Sequence, residues 1–268
     1  MAKTLGELES YLLQTLQSKG KNFFRLKDAC HITGTSYDAT RLLVSKLAQK
    51  GWLMRIKKGK YLVLSLQEKA GAIKDWYAIA AALAEPHPYY LSHYTALALR
   101  NMTTQPVLSV FISSPKRIPD RILSNVKFKF IYCKPNKFWG IEDQWLNKQE
   151  KIKISDLERT VIDALSRPDL CGGISEIAKA IWFKKKEIDC SKLLDYAKRL
   201  GIGSVSKRIG FLLDLYQLAS KSLCGKFKIK DNSFPLLDPT LPRRGFYANE
   251  WKLFINSPPE ELKKIVWT

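Results

Sequence analysis

Residues 53–64, with the sequence LMRIKKGKYLVL, constrain the fold of this chain more than any other stretch. Apolar and polar residues alternate up to a short basic turn and then alternate again, a pattern typical of a two-stranded β-hairpin. We expect four apolar side chains to anchor the hairpin to a core, namely Leu53, Ile56, Tyr61 and Val63. We expect the basic side chains to project outward, and these are Arg55, Lys57, Lys58 and Lys60.

Three helical segments are predicted before the hairpin. Leucines recur at helical spacing across residues 4–18, and a short helix at about 26–32 ends before Gly34. Thr35 or Ser36 then caps a third helix within SYDATRLLVSKLAQKGW. The buried face of this helix is predicted to carry Ala39, Leu42, Leu43 and Leu47. Its outer face is predicted to carry Tyr37, Thr40, Arg41 and Ser45.

Two helices joined by a glycine-containing turn and followed by a basic hairpin are the elements of a winged helix-turn-helix. In that fold the last helix enters the major groove of DNA, and the wing contacts phosphates. DNA contacts are therefore predicted for the third helix at Tyr37, Thr40, Arg41 and Lys46, and for the wing at Arg55, Lys57, Lys58 and Lys60. The alternative is that the hairpin carries its charges for solubility and to protect a sheet edge.

The net charge supports a polyanionic partner. Forty-five lysines and arginines against 25 acidic residues give a formal charge of +20 and a sequence pI of about 9.7. Such a charge attracts nucleic acid through phosphate contacts, although a solvated surface or an acidic membrane also fits it. More than half of the excess lies beyond residue 68, so DNA contact is expected to extend past the winged helix.

The rest of the chain is too long for one winged helix, so we predict a second domain. Strands are predicted within PVLSVFISS and VKFKFIYCK and at 151–154, and the later segments are mostly helical. The prediction is an α+β protein with a winged helix-turn-helix at 1–68 and a larger mixed α/β domain at 69–268.

Basic clusters recur in this second domain. They contain Lys116, Arg117, Lys184, Lys185, Lys186, Arg243 and Arg244, and SKRIG adds Lys207 and Arg208. If they flank the winged helix, the clusters at residues 116–117, 184–186 and 243–244 lengthen the DNA footprint through phosphate contacts without adding base specificity. An acidic partner or a solvated face explains them equally well.

The segment SDLERTVIDALSRP predicts a helix that begins with a capping box between Ser155 and Glu158. Arg159 and Asp163 are spaced for an ion pair, while Val161, Ile162 and Leu165 are expected to face the core. An enzymatic interpretation would use Asp156, Glu158 and Asp163 as metal ligands, but carboxylates at this spacing point around the helix instead of converging.

Histidines and cysteines also argue against catalysis. The three histidines and five scattered cysteines lack the spacing of a metal site, a disulfide framework or a nucleophile–base pair. The N-terminal segment lacks a signal-peptide pattern, and no apolar run approaches membrane-spanning length. We therefore expect a cytoplasmic protein that is not an enzyme and has no membrane anchor, metal or cofactor.

The motifs LSHYTALAL, SDLERTVIDAL, RPDLCGGISEI and FYANEWKLFIN, in this order, resemble the AbiEi antitoxin family over nearly the whole chain. These proteins are regulators paired with nucleotidyltransferase-like toxins in type IV toxin–antitoxin, or abortive-infection, operons. The resemblance implies a non-enzymatic repressor that binds inverted repeats in its own operator, while the C-terminal domain counteracts the toxin. It implies no necessary contact with the toxin.

A different function remains open from the residues themselves. An effector-sensing regulator would bind a small molecule in its second domain, in an apolar cavity near Trp76, Tyr77, Tyr89 and Tyr90. Aromatic residues of this kind also commonly form part of a core.

Overall fold

The computed structural model describes residues 5–64, 76–106, 108–147 and 150–265. The chain divides into two compact units, residues 1–85 with 122–125 and residues 86–121 with 126–268. The helix that precedes residue 85 thus groups with the first unit, whereas the sequence analysis placed it in the second domain. The predicted boundary at residue 68 lies outside the described residues.

The first unit has the element order of a winged helix-turn-helix. Its elements are α1 (Glu7–Ser18), β1 (Phe23–Arg25), α2 (Leu26–Thr33), α3 (Tyr37–Gln49), β2 (Leu53–Lys57), β3 (Lys60–Val63) and α4 (Trp76–Ala84). The strands form an antiparallel sheet in the order β1-β3-β2. Strand β1 was not predicted, because three residues are too few to show an alternating pattern.

Local sequence signals set the turn between α2 and α3. Gly34 ends α2 with a φ of 65°, a left-handed conformation that glycine adopts without steric cost. Ser36 then caps α3, because its hydroxyl oxygen accepts a hydrogen bond of 3.3 Å from the backbone N–H of Ala39. The predicted short turn and the alternative with Ser36 as cap are therefore confirmed.

The predicted buried face of α3 is partly wrong. Thr40, Val44 and Leu47 are fully buried, whereas Ala39 is exposed and Leu42 is 59% exposed. Burial of Thr40 carries little penalty because its hydroxyl donates to the carbonyl oxygen of Ser36 at 2.9 Å. The stripe that contains Thr40 therefore faces the core of the first unit.

The hairpin packs as predicted on the apolar side. Leu53, Ile56 and Tyr61 are buried, and Val63 is half-buried. Leu53, Tyr61 and Val63 join a core that is formed mainly by Leu12, Leu16, Phe24, Leu26, Ala29, Val44 and Leu47. Three helices, strand β1 and the hairpin thus share an apolar core in the first unit.

The second unit is built on a mixed sheet with helices. Its strands are β4 (Tyr90–Leu91), β5 (Ser109–Ser114), β6 (Arg121–Leu123, whose last two residues are among those grouped with the first unit), β7 (Val126–Tyr132), β8 (Ile141–Trp145), β9 (Lys151–Ser155), β10 (Phe246–Ala248) and β11 (Leu253–Ile255). Its helices are α5 (His93–Leu99), α6 (Leu157–Ser166), α7 (Gly173–Phe183), α8 (Cys190–Leu200), α9 (Gly203–Leu215), α10 (Lys221–Gly225) and α11 (Pro259–Ile265). Short 3-10 turns lie at Pro135–Lys137 and Pro168–Leu170.

Six strands form one sheet in the order β6-β7-β5-β4-β9-β8. The pairs β5–β7 and β4–β9 are parallel, and the pairs β4–β5 and β8–β9 are antiparallel. The separate hairpin β10–β11 was not predicted, since its strands have three residues each. The protein is α+β, as predicted, with a helical winged-helix unit followed by a larger mixed unit.

Helix α6 occupies the core of the second unit, and Val161, Ile162 and Leu165 are buried as predicted. Its cap differs from the prediction. Asp156 caps the helix by accepting a 2.8 Å hydrogen bond from the N–H of Arg159, because Ser155 is the last residue of β9 and its hydroxyl contacts Thr160.

Candidate nucleic-acid interface

The solvent-facing side of α3 presents a mixed polar and apolar surface. Of the predicted contacts on this helix, Tyr37, Arg41 and Lys46 are exposed. Arg41 lies 3.6 Å from the carboxylate of Asp38, but both side chains are more than 60% exposed, so this ion pair adds little and leaves the guanidinium accessible. Helix α3 can therefore present a guanidinium, an ammonium and a phenol to a partner.

Thr40 does not belong to this surface, contrary to the prediction. Its side chain is buried, and its hydroxyl also lies 2.8 Å from that of Thr35. In a 3.6-residue period Thr40 shares the face of Val44 and Leu47, which packs into the core.

Sequence reasoning missed two residues of the exposed face, Ala39 and Leu42. Both were assigned to the core because an apolar residue on an amphipathic helix is ordinarily buried. The signal that could have found the buried face is the β-branched Val44. It lies four residues after Thr40 and three before Leu47, so the three residues share one face of the helix. Leu42 is the more notable of the two, since a leucine this exposed on a helix of the winged-helix unit is available for an apolar contact.

The tip of the wing contains two exposed cations, as predicted. Arg55 and Lys58 are exposed, and the turn is closed by Gly59 with a φ of 73°. Lys57 pairs with Lys60 across this turn. The predicted outward direction is therefore confirmed for Arg55 and Lys58.

Lys57 points back into its own unit, which contradicts the predicted outward direction. Its Nζ atom donates to three carbonyl oxygens at the C-terminal end of α4: 2.5 Å to Ala82, 3.2 Å to Leu83 and 2.6 Å to Glu85. A lysine at this position satisfies carbonyls that have no partner within the helix and complements the helix dipole.

Lys60 is also turned inward, contrary to the prediction. Its residue is 7% exposed, and its Nζ atom lies 2.6 Å from Oε2 of Glu85. The same carboxylate oxygen lies 3.4 Å from Arg25. We call the contacts of Lys57, Lys60, Arg25 and Glu85 the wing clasp.

A β-bulge explains why the alternating pattern misplaced these lysines. The β2–β3 register shifts between Arg55 and Lys57, so Ile56 is an extra residue on β2. A bulge changes the direction in which the following side chains point. After the bulge, Lys57 faces α4 instead of solvent.

The wing clasp shifts the pKa values of Lys57 and Glu85. Burial lowers the pKa of Lys57, and the positive charge of Lys60 adds to this effect. Burial alone would raise the pKa of Glu85, but the hydrogen bond and charge of Lys60, together with Arg25 and Lys57, outweigh it and lower that pKa. Glu85 is thus held as a carboxylate that compensates the neighbouring cations.

The predicted basic clusters of the second unit lie on different elements and differ in availability. Lys116 and Lys186 are exposed, and Arg117 stacks over the ring of Tyr132 at 4.7 Å. Lys184 pairs with Glu187 at 2.9 Å, and Lys185 lies over the ring of Trp182. Arg243 stacks on Phe254, and Arg244 is exposed.

Lys207 and Arg208 are not surface cations. Lys207 is fully buried and forms an ion pair of 2.5 Å with Asp231. The guanidinium of Arg208 donates to the carbonyl oxygens of Leu165, Leu236 and Leu237. Both cations are therefore part of the internal packing of α9.

The carboxylates considered for catalysis are occupied by cations. Asp163 pairs with Arg159 at 2.9 Å, as predicted, and accepts a hydrogen bond from Tyr90. Asp156 and Glu158 converge on Lys192, at 3.2 and 2.7 Å, and do not point apart as expected. Among the described residues, no group of three histidine, cysteine or acidic side chains is placed to hold a metal ion.

His93 belongs to a buried polar network. Its Nδ1 lies 2.8 Å from the hydroxyl of Ser92, which also accepts a hydrogen bond from Ser113. All three residues are less than 5% exposed, so a substrate does not reach this serine–histidine pair. Burial lowers the pKa of His93 and keeps the imidazole neutral.

A cavity of about 440 Å³ lies in the second unit, away from the predicted aromatic residues. Its lining includes Tyr94, Phe111, Leu108, Leu170, Asp169 and Glu176. Tyr90, which was expected near a cavity, is buried and hydrogen bonded to Asp163.

In the described part of the chain, none of the helices has the length and hydrophobicity needed to cross a bilayer.

Comparison with known proteins agrees with this description. A family model described as "Transcriptional regulator, AbiEi antitoxin" matches residues 11–63, which confirms the family resemblance in this part of the chain. The crystal structure of the RV2827C protein from Mycobacterium tuberculosis is similar, with a TM-score of 0.75 over 100% of this chain and 97% of that chain. At 16% identity this similarity shows a shared fold. No curated protein matches the sequence.

Proposed function

We propose that this chain, whose residues 11–63 match the model of an AbiEi antitoxin transcriptional regulator, represses its own operon by binding operator DNA. The observation that carries the proposal is the exposed α3 face with Tyr37, Arg41, Leu42 and Lys46, followed by a wing with two free cations. In a winged helix these two elements are the ones that contact the major groove and the adjoining backbone.

The two elements have different roles in this proposal. Arg41 donates to base edges in the major groove, and Ala39 and Leu42 contact thymine methyl groups. Lys46, Arg55 and Lys58 neutralise phosphates and set the position of the domain without reading sequence. Lys57 and Lys60 support the wing through the wing clasp, so we remove them, with Thr40, from the proposed contact set.

The second unit supplies the antitoxin activity in this proposal, as part of a cytoplasmic type IV toxin–antitoxin system. The functional partner is a nucleotidyltransferase-like toxin, which the antitoxin counteracts with or without direct contact. Exposed cations such as Lys116, Lys186 and Arg244 extend the footprint on flanking phosphates. The proposed role is regulatory and not enzymatic.

Operator binding is tested with the DNA immediately upstream of the reading frame and a scrambled duplex of equal composition. We expect preference for the upstream duplex that persists at moderate salt, since base contacts do not depend on counterion release. Equal binding to both duplexes that disappears as salt rises would refute sequence-specific repression.

Antitoxin activity is tested separately, by growth of cells that express the cognate toxin. The full chain is expected to restore growth, and a chain that ends after residue 85 is expected to fail, because it lacks the second unit. This end point retains Glu85 and therefore the wing clasp. Full protection by the shorter chain would show that the first unit suffices.

One observation favours a second candidate function, an effector-sensing regulator. The cavity beside Tyr94 and Phe111 has a volume within the range of small-molecule sites. A ligand that raises the melting temperature and changes operator affinity, with both effects lost in Phe111→Ala, would support this function.

A further inference from the structure

The hairpin β10–β11 presents aromatic rings and cations together on one face. Tyr247 and Phe254 pair across the two strands, with ring centroids 5.0 Å apart, and Phe234 lies 5.1 Å from Tyr247. Arg243 lies 4.6 Å from the ring of Phe254, and Lys252 lies 5.2 Å from the ring of Phe234. We call these five residues the aromatic strip.

The aromatic strip is accessible at Tyr247. This side chain is 56% exposed, whereas its neighbour Phe254 is 7% exposed. All residues from 239 to 247 are exposed, including Arg244. The ring of Tyr247 contacts two other rings edge to face and has Arg243 at 6.0 Å from its centroid, yet more than half of the residue remains exposed. An exposed aromatic surface of this kind commonly marks a binding site.

The charge around the aromatic strip is positive and uncompensated. The acidic residues closest to it in sequence already have partners: Asp231 binds Lys207, Asp238 accepts backbone and hydroxyl hydrogen bonds, and Glu250 binds Lys228. Within the described ranges, Arg243, Arg244 and Lys252 form no ion pair with a carboxylate. The strip therefore attracts an anion.

Gly245 fixes the geometry between the arginines and the hairpin. Its φ is 156°, and a Cβ atom at this position would lie 1.8 Å from the carbonyl oxygen of Ile255. Only glycine allows the backbone to approach β11 this closely. Arg243 and Arg244 are consequently held close to β11, which pairs with the strand that carries Tyr247.

We propose that the aromatic strip binds single-stranded nucleic acid, independently of operator binding by the first unit. An unpaired base stacks on Tyr247, and Arg244 and Lys252 contact the adjoining phosphates. Bases in a duplex are already stacked on one another, so a duplex offers phosphates but no free base face. An acidic protein would satisfy the cations but would leave the ring face without a planar partner.

The test is fluorescence anisotropy of the full chain with a labelled mixed-sequence 12-nucleotide RNA, the equivalent DNA strand and the matching duplex. Tyr247→Leu is expected to weaken single-strand binding about tenfold, since it removes the stacking ring. Tyr247→Phe should retain binding. Arg244→Gln should weaken binding and reduce its dependence on salt.

Phe246→Leu is the matched control. Phe246 precedes Tyr247 on the same strand and is also 56% exposed, but it points to the opposite side of the hairpin. The Phe246→Leu variant should therefore bind single strands as tightly as the unchanged protein does. Circular dichroism and melting temperature verify that each variant is folded.

Three outcomes would overturn the proposal. The first is equal single-strand affinity in Tyr247→Leu and Phe246→Leu. The second is that Tyr247→Leu weakens duplex binding as much as single-strand binding, which would indicate a general phosphate-binding surface. The third is that polyglutamate displaces the single strand and that Tyr247→Leu weakens the binding of polyglutamate as much as that of the single strand. This result would assign the strip to an acidic protein partner. Operator binding by the first unit is unaffected by each outcome.

Discussion

The Nζ atom of Lys60 lies 2.6 Å from Oε2 of Glu85, which joins the end of the wing turn to the residue that follows α4. Lys57 adds hydrogen bonds to the last carbonyl oxygens of the same helix. Glu85 closes the 1–85 segment of the first unit, so the wing is held by contacts within its own unit. Half of the basic residues of the wing therefore have a structural role.

Lys57 and Lys58 are adjacent lysines for which we expect different effects. Lys58→Gln should reduce the slope of log K against log salt by about 0.9, the effect of one lost phosphate contact. Lys57→Gln should leave this slope unchanged, but it should increase amide hydrogen exchange in residues 53–63, because three helix carbonyls lose their donor. Equal salt slopes for the two variants would show that Lys57 leaves the clasp on DNA.

Leu42 is predicted to read thymine through its methyl group. Leu42→Ala should weaken operator binding about fivefold, or roughly 1 kcal/mol, which is typical of a lost apolar contact. Replacing individual operator thymines with deoxyuridine removes only the C5-methyl group. At the contacted position this change should lower the operator affinity of the unchanged protein. It should not lower the affinity of the Leu42→Ala variant any further.

The deoxyuridine experiment also separates two failures. Additive losses from Leu42→Ala and from every deoxyuridine would mean that the leucine contacts no methyl group. Absence of any operator preference in the unchanged protein would instead refute repression itself.

Gly210 on α9 is predicted to be intolerant of any side chain. A Cβ atom there would lie 2.1 Å from the ring of Trp251, which is itself 5% exposed and cannot move outward without disturbing the core. Gly210→Ala should lower the free energy of unfolding by about 1–3 kcal/mol or more. Gly225→Ala is the control, because a Cβ atom at Gly225 meets nothing within 4 Å. Similar melting temperatures for both variants would contradict the packing.

His93 is predicted to make the second unit sensitive to acid. Burial lowers its pKa from the ordinary 6.5, Arg167 and Arg159 lower it further, and the negative charges of Asp163 and Asp169 oppose this shift without cancelling it. The unfolded chain therefore binds a proton below about pH 6.5 that the folded chain does not, so stability falls as the pH drops through this value.

The corresponding measurement is the melting temperature at pH 7.5 and pH 5.5. The melting temperature of His93→Gln should fall less between pH 7.5 and pH 5.5 than that of the unchanged protein. His87→Gln, at an exposed histidine, should behave as the unchanged protein does. An undiminished decrease in His93→Gln would assign the acid sensitivity to other groups.

The sequence by itself determined the order of elements in the first unit. Helical spacing in α1 and α3, Gly34 at the end of α2, the cap at Ser36 and the alternation around residues 57–60 are all signals between residues close in the chain. Such signals act before tertiary contacts form, and the winged-helix prediction followed from them. The helix at 157–166 with its Arg159–Asp163 pair was predictable for the same reason.

Only the tertiary structure decided which face of α3 is buried and where the wing lysines point. Two stripes on α3 were possible, and packing selected the one with Thr40 because its hydroxyl has local hydrogen-bond acceptors. The wing clasp joins Lys57 to residues 25 to 28 positions away, across a bulge that no alternating pattern reveals. The aromatic strip likewise forms from Phe234, Tyr247 and Phe254, which are brought together by strands too short to be predicted. Contacts between distant residues depend on the assembled core, and a local pattern contains no information about them.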